Sequence, residues 1–305
     1  MIVVGGEALV DLVIDGDGNV TAALGGGPFN TARTIARLGS SVSFLGALSR
    51  DRFGSLLLQR LSSDGVDDRL VQFTDLPTTM AAAELDEHGS ARYRFYFAET
   101  SAPALRPAAL PGDTRALHIG TLGLVLEPMA TTLEATLAET GDDVLVMLDV
   151  NCRPAATPHL GAFTARLSRL VRRADVVKVS TEDLEFLGAG DVPGGLALLR
   201  RGSSAVVLHT DGARLVNVHG ADDVIAVPVP SIDVADTIGA GDAFGGAFVA
   251  WWDQAGLRRS DLADLDRVGR AVTAAVQVAS LNCTKVGADP PRRLELGDRW
   301  RPARR

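Results

Sequence analysis

The chain has 305 residues, of which 46% are hydrophobic and 22% charged, and its formal net charge is -8. That length holds one large α/β domain or two smaller ones, and the composition is too apolar for disorder. The negative balance argues against nucleic acid or an anionic membrane as a partner, because phosphate-rich surfaces call for clustered cations.

Taken in chain order, the apolar runs IVV at 2–4, ALHIG at 116–120, VLVMLDV at 144–150, VVKVS at 176–180 and AVVLHT at 205–210 suit strands buried on both faces of a parallel sheet. PMATTLEATLAET at 128–140 and LGAFTARLSRLVRRA at 160–174 read as the helices between them. The basic run RLSRLVRR at 166–173 reads as the solvated face of the second helix. Two segments break the pattern: 12–24 and 78–97 read as β-hairpins, with turns at 15–19 and 86–90. In the second, alternation around Tyr93, Phe95 and Phe97 predicts a half-buried strand in a small sheet over the main one. Cys152 and Cys283 have no CxxC spacing and no nearby His, which argues against a disulfide framework or a zinc site and fits a reducing cytoplasm. The start MIVVGGEALVDLV lacks a basic leader region, and no apolar stretch approaches a membrane span.

Four segments carry candidate chemistry. GEALVDLV at 6–13 puts Glu7 and Asp11 near the end of the first strand. Acids there are often turn formers, but a carboxylate at that place can also accept two neighbouring sugar hydroxyls. GGGPFNTARTIARLG at 25–39 opens a helix with glycines and Pro28. Its plain reading is helix entry; its functional reading is a bare backbone that a ligand can approach, with Asn30 offering a donor and an acceptor. LDVNCRP at 148–154 ends a strand with Asp149, Asn151 and Arg153, either a ligand-facing group or a polar loop braced by an Asp–Arg pair. DTIGAGDAFGGAFVA at 236–250 opens a helix whose unpaired N–H groups favour an anion, yet Asp242 sits in its first turn. A dinucleotide fingerprint fails there on context and a P-loop fails for want of its lysine. A helix terminus that holds a transferring phosphoryl group beside an acid able to take an alcohol's proton survives.

The segments 25–39 and 236–250, in that order, resemble the two signatures of the PfkB, or ribokinase-like, carbohydrate kinases. The resemblance implies one kinase domain over 1–305: an α/β ribokinase-like central, mostly parallel sheet with helices on both faces, plus a β-lid formed by about 11–24 and 78–97. It implies transfer of the ATP γ-phosphate to a sugar hydroxyl. Asp242 then resembles the catalytic base, and Gly239, Ala240 and Gly241 the anion hole. Asp11, Gly26, Gly27 and Asn30 match sugar-binding positions. Ser180, Thr210, Gly212, Gly241 and Asn282 fall on the nucleotide side, in KVSTEDLEFL, HTDGARLV, the glycine cradle and SLNCTKVGA. Ser180 and Asp183 stand where the family usually has Asn and Glu, and Asp183 takes the place of a residue that holds Mg²⁺ through water. Asp236 and Ile238 match positions beside a K⁺ ion.

GEALVDL, YRFYFAETSAPAL and DVNCRP look most like fructokinases, with 2-keto-3-deoxygluconate kinases next, for which Arg94 or Arg153 would supply the cation. A nucleoside kinase on the same fold and a non-catalytic sugar-binding regulator are the remaining readings. The regulator's mark would be loss of Asp242. The expected partners are a sugar and ATP, with no nucleic acid or membrane, and with a homodimer through the lid left open.

Overall fold

The computed structural model describes residues 1–85 and 91–302. In chain order the first half forms β1 (Ile2–Gly5), β2 (Leu9–Ile14), β3 (Val20–Gly25), α1 (Gly27–Arg37), β4 (Val42–Ser49), α2 (Arg52–Asp64), β5 (Val71–Thr74), β6 (Met80–Leu85) and β7 (Ala91–Tyr96). There follow β8 (Ala116–Gly120), α3 (Met129–Ala138), β9 (Leu145–Asp149), α4 (Leu160–Leu170), β10 (Val176–Ser180), α5 (Thr181–Leu187) and α6 (Val192–Arg200). The chain closes with β11 (Val206–Asp211), β12 (Leu215–His219), β13 (Val224–Pro228), α7 (Ala240–Gln254) and α8 (Leu265–Cys283).

Nine strands make one sheet in the order β13-β12-β11-β10-β9-β8-β1-β4-β5. Its pairings are parallel from β11 through β5, and β12 and β13 add an antiparallel edge. The central strands are wholly buried because helices cover both faces, which is why they read as unbroken apolar runs. On one face Phe29, Leu57, Phe248, Trp252 and Val272 of α1, α2, α7 and α8 build a core with Val4, Phe44 and Met147. On the other, Leu133, Phe163, Leu167 and Leu184 pack on Val3, Leu117 and Leu148. The predicted mixed α/β architecture with a mostly parallel sheet is the one observed. Arg166 and Arg169 of the basic run pair with Glu134 of α3, so that face of α4 is tied down by ion pairs as well as solvated.

Four strands form a second sheet, in the order β3-β2-β6-β7. The turn predicted at 86–90 lies outside the described residues. Register places Ala23, Asp11, Ala81 and Phe95 side by side on one face, and Ala22, Leu12, Ala82 and Arg94 on the other. Because strand side chains alternate, the two faces differ in destiny. Leu9, Ala81 and Phe95 join the second core cluster, so the Asp11 face looks toward the main sheet.

Candidate active site

Strand order reverses beside β1, whose neighbours are β4 and β8. In open α/β sheets a crevice forms at such a point, beyond the carboxyl ends of the strands. Glu7 leaves the end of β1 and fastens its floor. Its Oε1 accepts from Gly27 N at 3.3 Å and from the Thr121 hydroxyl, and its Oε2 accepts from Gly123 N at 3.2 Å. Gly26 caps α1 with φ 108°, and a side chain on Gly27 would crowd Thr121 and the Asp242 carboxylate.

From α1, Asn30 Nδ2 donates to Asp242 Oδ2 at 2.9 Å. Asn30 Oδ1 is buried with no partner among the described residues, an acceptor left for a donor from outside the protein. Asp242 belongs to the first turn of α7. That helix starts at Gly239, whose left-handed φ of 75° suits glycine and whose lack of a side chain leaves the terminus without a side-chain cap. Ala240 N donates to Thr237 O at 3.2 Å, so this predicted anion-hole donor is shared with a turn. Among the described residues the N–H groups of Gly241 and Asp242 have no backbone acceptor, and they carry the positive end of the helix dipole.

Three carboxylates surround this crevice. Burial pushes Asp242 up to about 6, with Asp149 adding to the rise and the Asn30 hydrogen bond, Lys178 and Arg153 working against it. Burial likewise lifts Asp11 to about 6 and Glu7 to about 7, and Arg153 counters both. The charge of Arg153 is thus felt by all three acids, while its guanidinium donates to Asn151 Oδ1 at 2.6 Å. The Asp–Arg brace considered for 148–154 is not formed. Asp149 instead pairs with Lys178, at 2.8 and 2.9 Å, and both are buried. Glu7 was legible only as a strand-end acid and Lys178 not at all, since its register beside Asp149 depends on pairing of β9 with β10.

The remaining predicted residues divide. Ser180 and Thr210 pair across the carboxyl ends of β10 and β11, and Gly212, with φ 54°, turns the chain just beyond. Arg94 is corrected: it lies on the face of the small sheet opposite Asp11 and pairs with Glu84 at 2.7 Å, because strand alternation turns it away from the crevice. Asn282 is fully buried, its amide donating to Ile238 O at 2.8 Å and so fastening the loop before α7, with Oδ1 unpartnered among the described residues. Asp183 is buried with Oδ1 accepting from Cys152 N at 2.6 Å and Oδ2 from Ser180 N at 2.9 Å. Its predicted metal-side carboxylate is spent on backbone donors. Asp236 accepts from Ile238 N and Gly287 N, at 3.0 and 2.8 Å, beside an exposed Ile238. A separate hollow of about 800 Å³ between the segment after β7, α3 and α4 is lined by none of the predicted site residues.

A sheet-end crevice that gathers buried carboxylates beside an uncapped helix terminus suits phosphoryl transfer to an alcohol. Residues 1–293 match the pfkB family carbohydrate kinases, and the chain belongs to that family. It is 34% identical to a fructokinase of Rhizobium leguminosarum bv. trifolii over 259 residues, which is 82% of this chain and 79% of that protein. The ATP-bound fructokinase of Xylella fastidiosa superposes with a TM-score of 0.86 at 27% identity, covering 94% of this chain and 93% of that one. The fructokinase of Vibrio cholerae O395, with fructose, ADP and a calcium ion bound, superposes with a TM-score of 0.83 at 29% identity, covering 94% of each. The protein is thus an ATP-dependent sugar kinase with the fold of the ribokinase-like enzymes.

Proposed function

We propose that the sugar is fructose, and that the four-stranded sheet is the lid that closes over it in a kinase domain spanning the chain. The observation that carries the reading is Asp242: a buried carboxylate held by Asn30 in the same helical turn as the open N–H groups. Asp11 accepts two neighbouring sugar hydroxyls from the lid side, and Asn30 Oδ1 accepts another. Gly26 and Gly27 let the ring lie against bare backbone. The hydroxyl to be phosphorylated donates to Asp242, which takes its proton as the oxygen attacks. With its carboxyl raised to about 6, Asp242 is ionised at neutral pH yet more basic than an ordinary aspartate. Charge on the transferring phosphoryl group falls to the N–H groups of Gly241 and Asp242.

ATP lies along the ends of β10 and β11, at Ser180, Thr210 and Gly212. No group of three or more acidic, His or Cys side chains among the described residues forms a ready metal cage. Mg²⁺ then comes with the nucleotide, as is usual where one or two carboxylates and substrate phosphates hold it. The loop at Asp236 and Ile238 is the candidate K⁺ position, and it would act by bracing the start of α7. The outer face of the lid carries Leu12, Ala22, Met80 and a half-exposed Tyr96, which supports pairing with a second copy. Two free cysteines agree with a cytoplasmic setting, and no helix among the described residues is long and apolar enough to cross a membrane.

The test is ADP release with fructose, ribose, 2-keto-3-deoxygluconate, inosine and adenosine. Fructose is expected to give the highest kcat/KM, and a tenfold preference for any other acceptor would overturn the assignment.

A further inference from the structure

The glycine at 241 has a neighbour that the sequence hides. A Cβ built on Gly241 would lie 2.9 Å from Lys178 Nζ and 3.5 Å from its Cε, so the ammonium occupies the space a side chain would take beneath the first turn of α7. Lys178 reaches this point from the middle of β10 and is 4% exposed. Two of its three N–H donors go to Asp149 Oδ1 and Oδ2. The charged groups that face it are Asp149 on β9, Asp183 on α5 and Asp242 on α7; His118 on β8 stands close as well. Burial opposes the ammonium, but these three carboxylates together raise its affinity for the proton. His118 is held neutral, lowered to about 3 by burial and by Lys178, so it adds no cation of its own.

As a stabilising device the pair is a poor choice, because apolar residues of similar size commonly replace a buried ion pair at no cost. Its place explains it better. We propose, on the kinase reading above, that Lys178 is a positioning residue of the transfer step: Asp149 holds its ammonium under Gly241, where it adds positive potential to the N–H groups of Gly241 and Asp242 and keeps the Asp242 carboxylate ionised. The glycine at 241 serves the lysine as well as the phosphate. Charge developing on the transferred group meets a fixed cation from below, in a buried setting where such fields act strongly.

The experiment compares wild type, Lys178→Met, and the double variant Lys178→Met with Asp149→Leu, which removes both charges and leaves neither ion stranded. Circular dichroism and urea midpoints establish which variants fold, and the double variant is expected to match wild type. Steady-state kinetics with the best acceptor of the panel then decide. The double variant is expected to lose on the order of 10²-fold in kcat, as for loss of one anion-hole donor, with KM for the sugar within about threefold. In the single variant the acid limb of the pH profile moves up, because Asp242 then faces Asp149 without the cation; Glu7 and Arg153, which also face Asp242, are unchanged. A folded double variant with wild-type kcat overturns the role and leaves the pair structural. A wild-type enzyme that phosphorylates no member of the panel overturns the kinase reading itself, and this inference with it.

Discussion

Two helices of this protein begin alike and are put to opposite uses. In α5 and α7 the third helical residue is an aspartate, Asp183 and Asp242. At α5 the residue before the helix is Ser180, whose hydroxyl accepts from Asp183 N while Asp183 accepts from Ser180 N. That reciprocal cap satisfies the terminus from within. At α7 the corresponding residue is Gly239, which has no side chain to offer, and Asp242 turns instead to Asn30 of another helix. One first-turn acid closes its helix, and the other leaves its helix open to an anion. The difference lies in the residue three positions earlier.

Breaking the open terminus should cost most. Asp242→Asn keeps shape and removes the proton acceptor, so kcat is expected to fall on the order of 10²- to 10⁴-fold while calorimetry shows ATP binding held or improved. A variant that keeps more than about a tenth of kcat would leave Asp242 as a dipole partner only. Gly239→Ser imitates the α5 start, but it meets φ 75° and an Ala288 Cβ 2.7 Å from its own. Its kcat should drop on the order of 10²-fold through loss of the aimed N–H groups. Wild-type kinetics there would show that a cap and an anion hole can coexist.

The pH response sharpens the same contrast. The acid limb of kcat/KM is expected near 6, falling about tenfold per unit below it, as Asp242 protonates. Stability runs the other way. Asp11, Asp242 and Glu7 are all raised by burial, so their favourable contribution is complete below their ordinary values and is lost as pH rises through about 6 for the aspartates and about 7 for Glu7. The ligand-free protein should therefore lose Tm between about pH 4 and 7 from these groups, and Asp242→Asn should narrow that loss. An unchanged loss in the variant would mean that Asp242 ionises as freely as in the unfolded chain.

Closing the comparison from the α5 side should touch folding more than catalysis. Asp183→Asn is expected to cost about 1–3 kcal/mol in urea unfolding, the usual cost for hydrogen bonds to a buried charge, with kcat at saturating Mg²⁺ and ATP within several-fold. A steep rise in the Mg²⁺ needed for half-maximal rate would instead return this carboxylate to the metal. Ser180→Ala is the mildest change, about 1 kcal/mol by the ordinary worth of such a cap. No measurable loss would show that the α5 terminus is held by Asp183 alone.

The sequence by itself determined five strands of the main sheet, the two hairpins and the glycine–aspartate helix start, because these depend on period, turn residues and caps within a few positions, while β4, β5, β12 and β13 went unread. Family likeness singled out Asp11, Asn30 and Asp242, of which Asn30 and Asp242 are hydrogen-bonded in the structure. Tertiary structure alone decided which acids face that crevice and how they are charged. Asn30 and Asp242 meet across 212 positions, and Lys178 and Asp149 across 29. Register with β6 turns Arg94 to the face opposite Asp11, and the loop before α7 engages the Asn282 amide, neither of which the local sequence shows. Local sequence fixes backbone preference, whereas burial and charge belong to whatever distant chain folds against it.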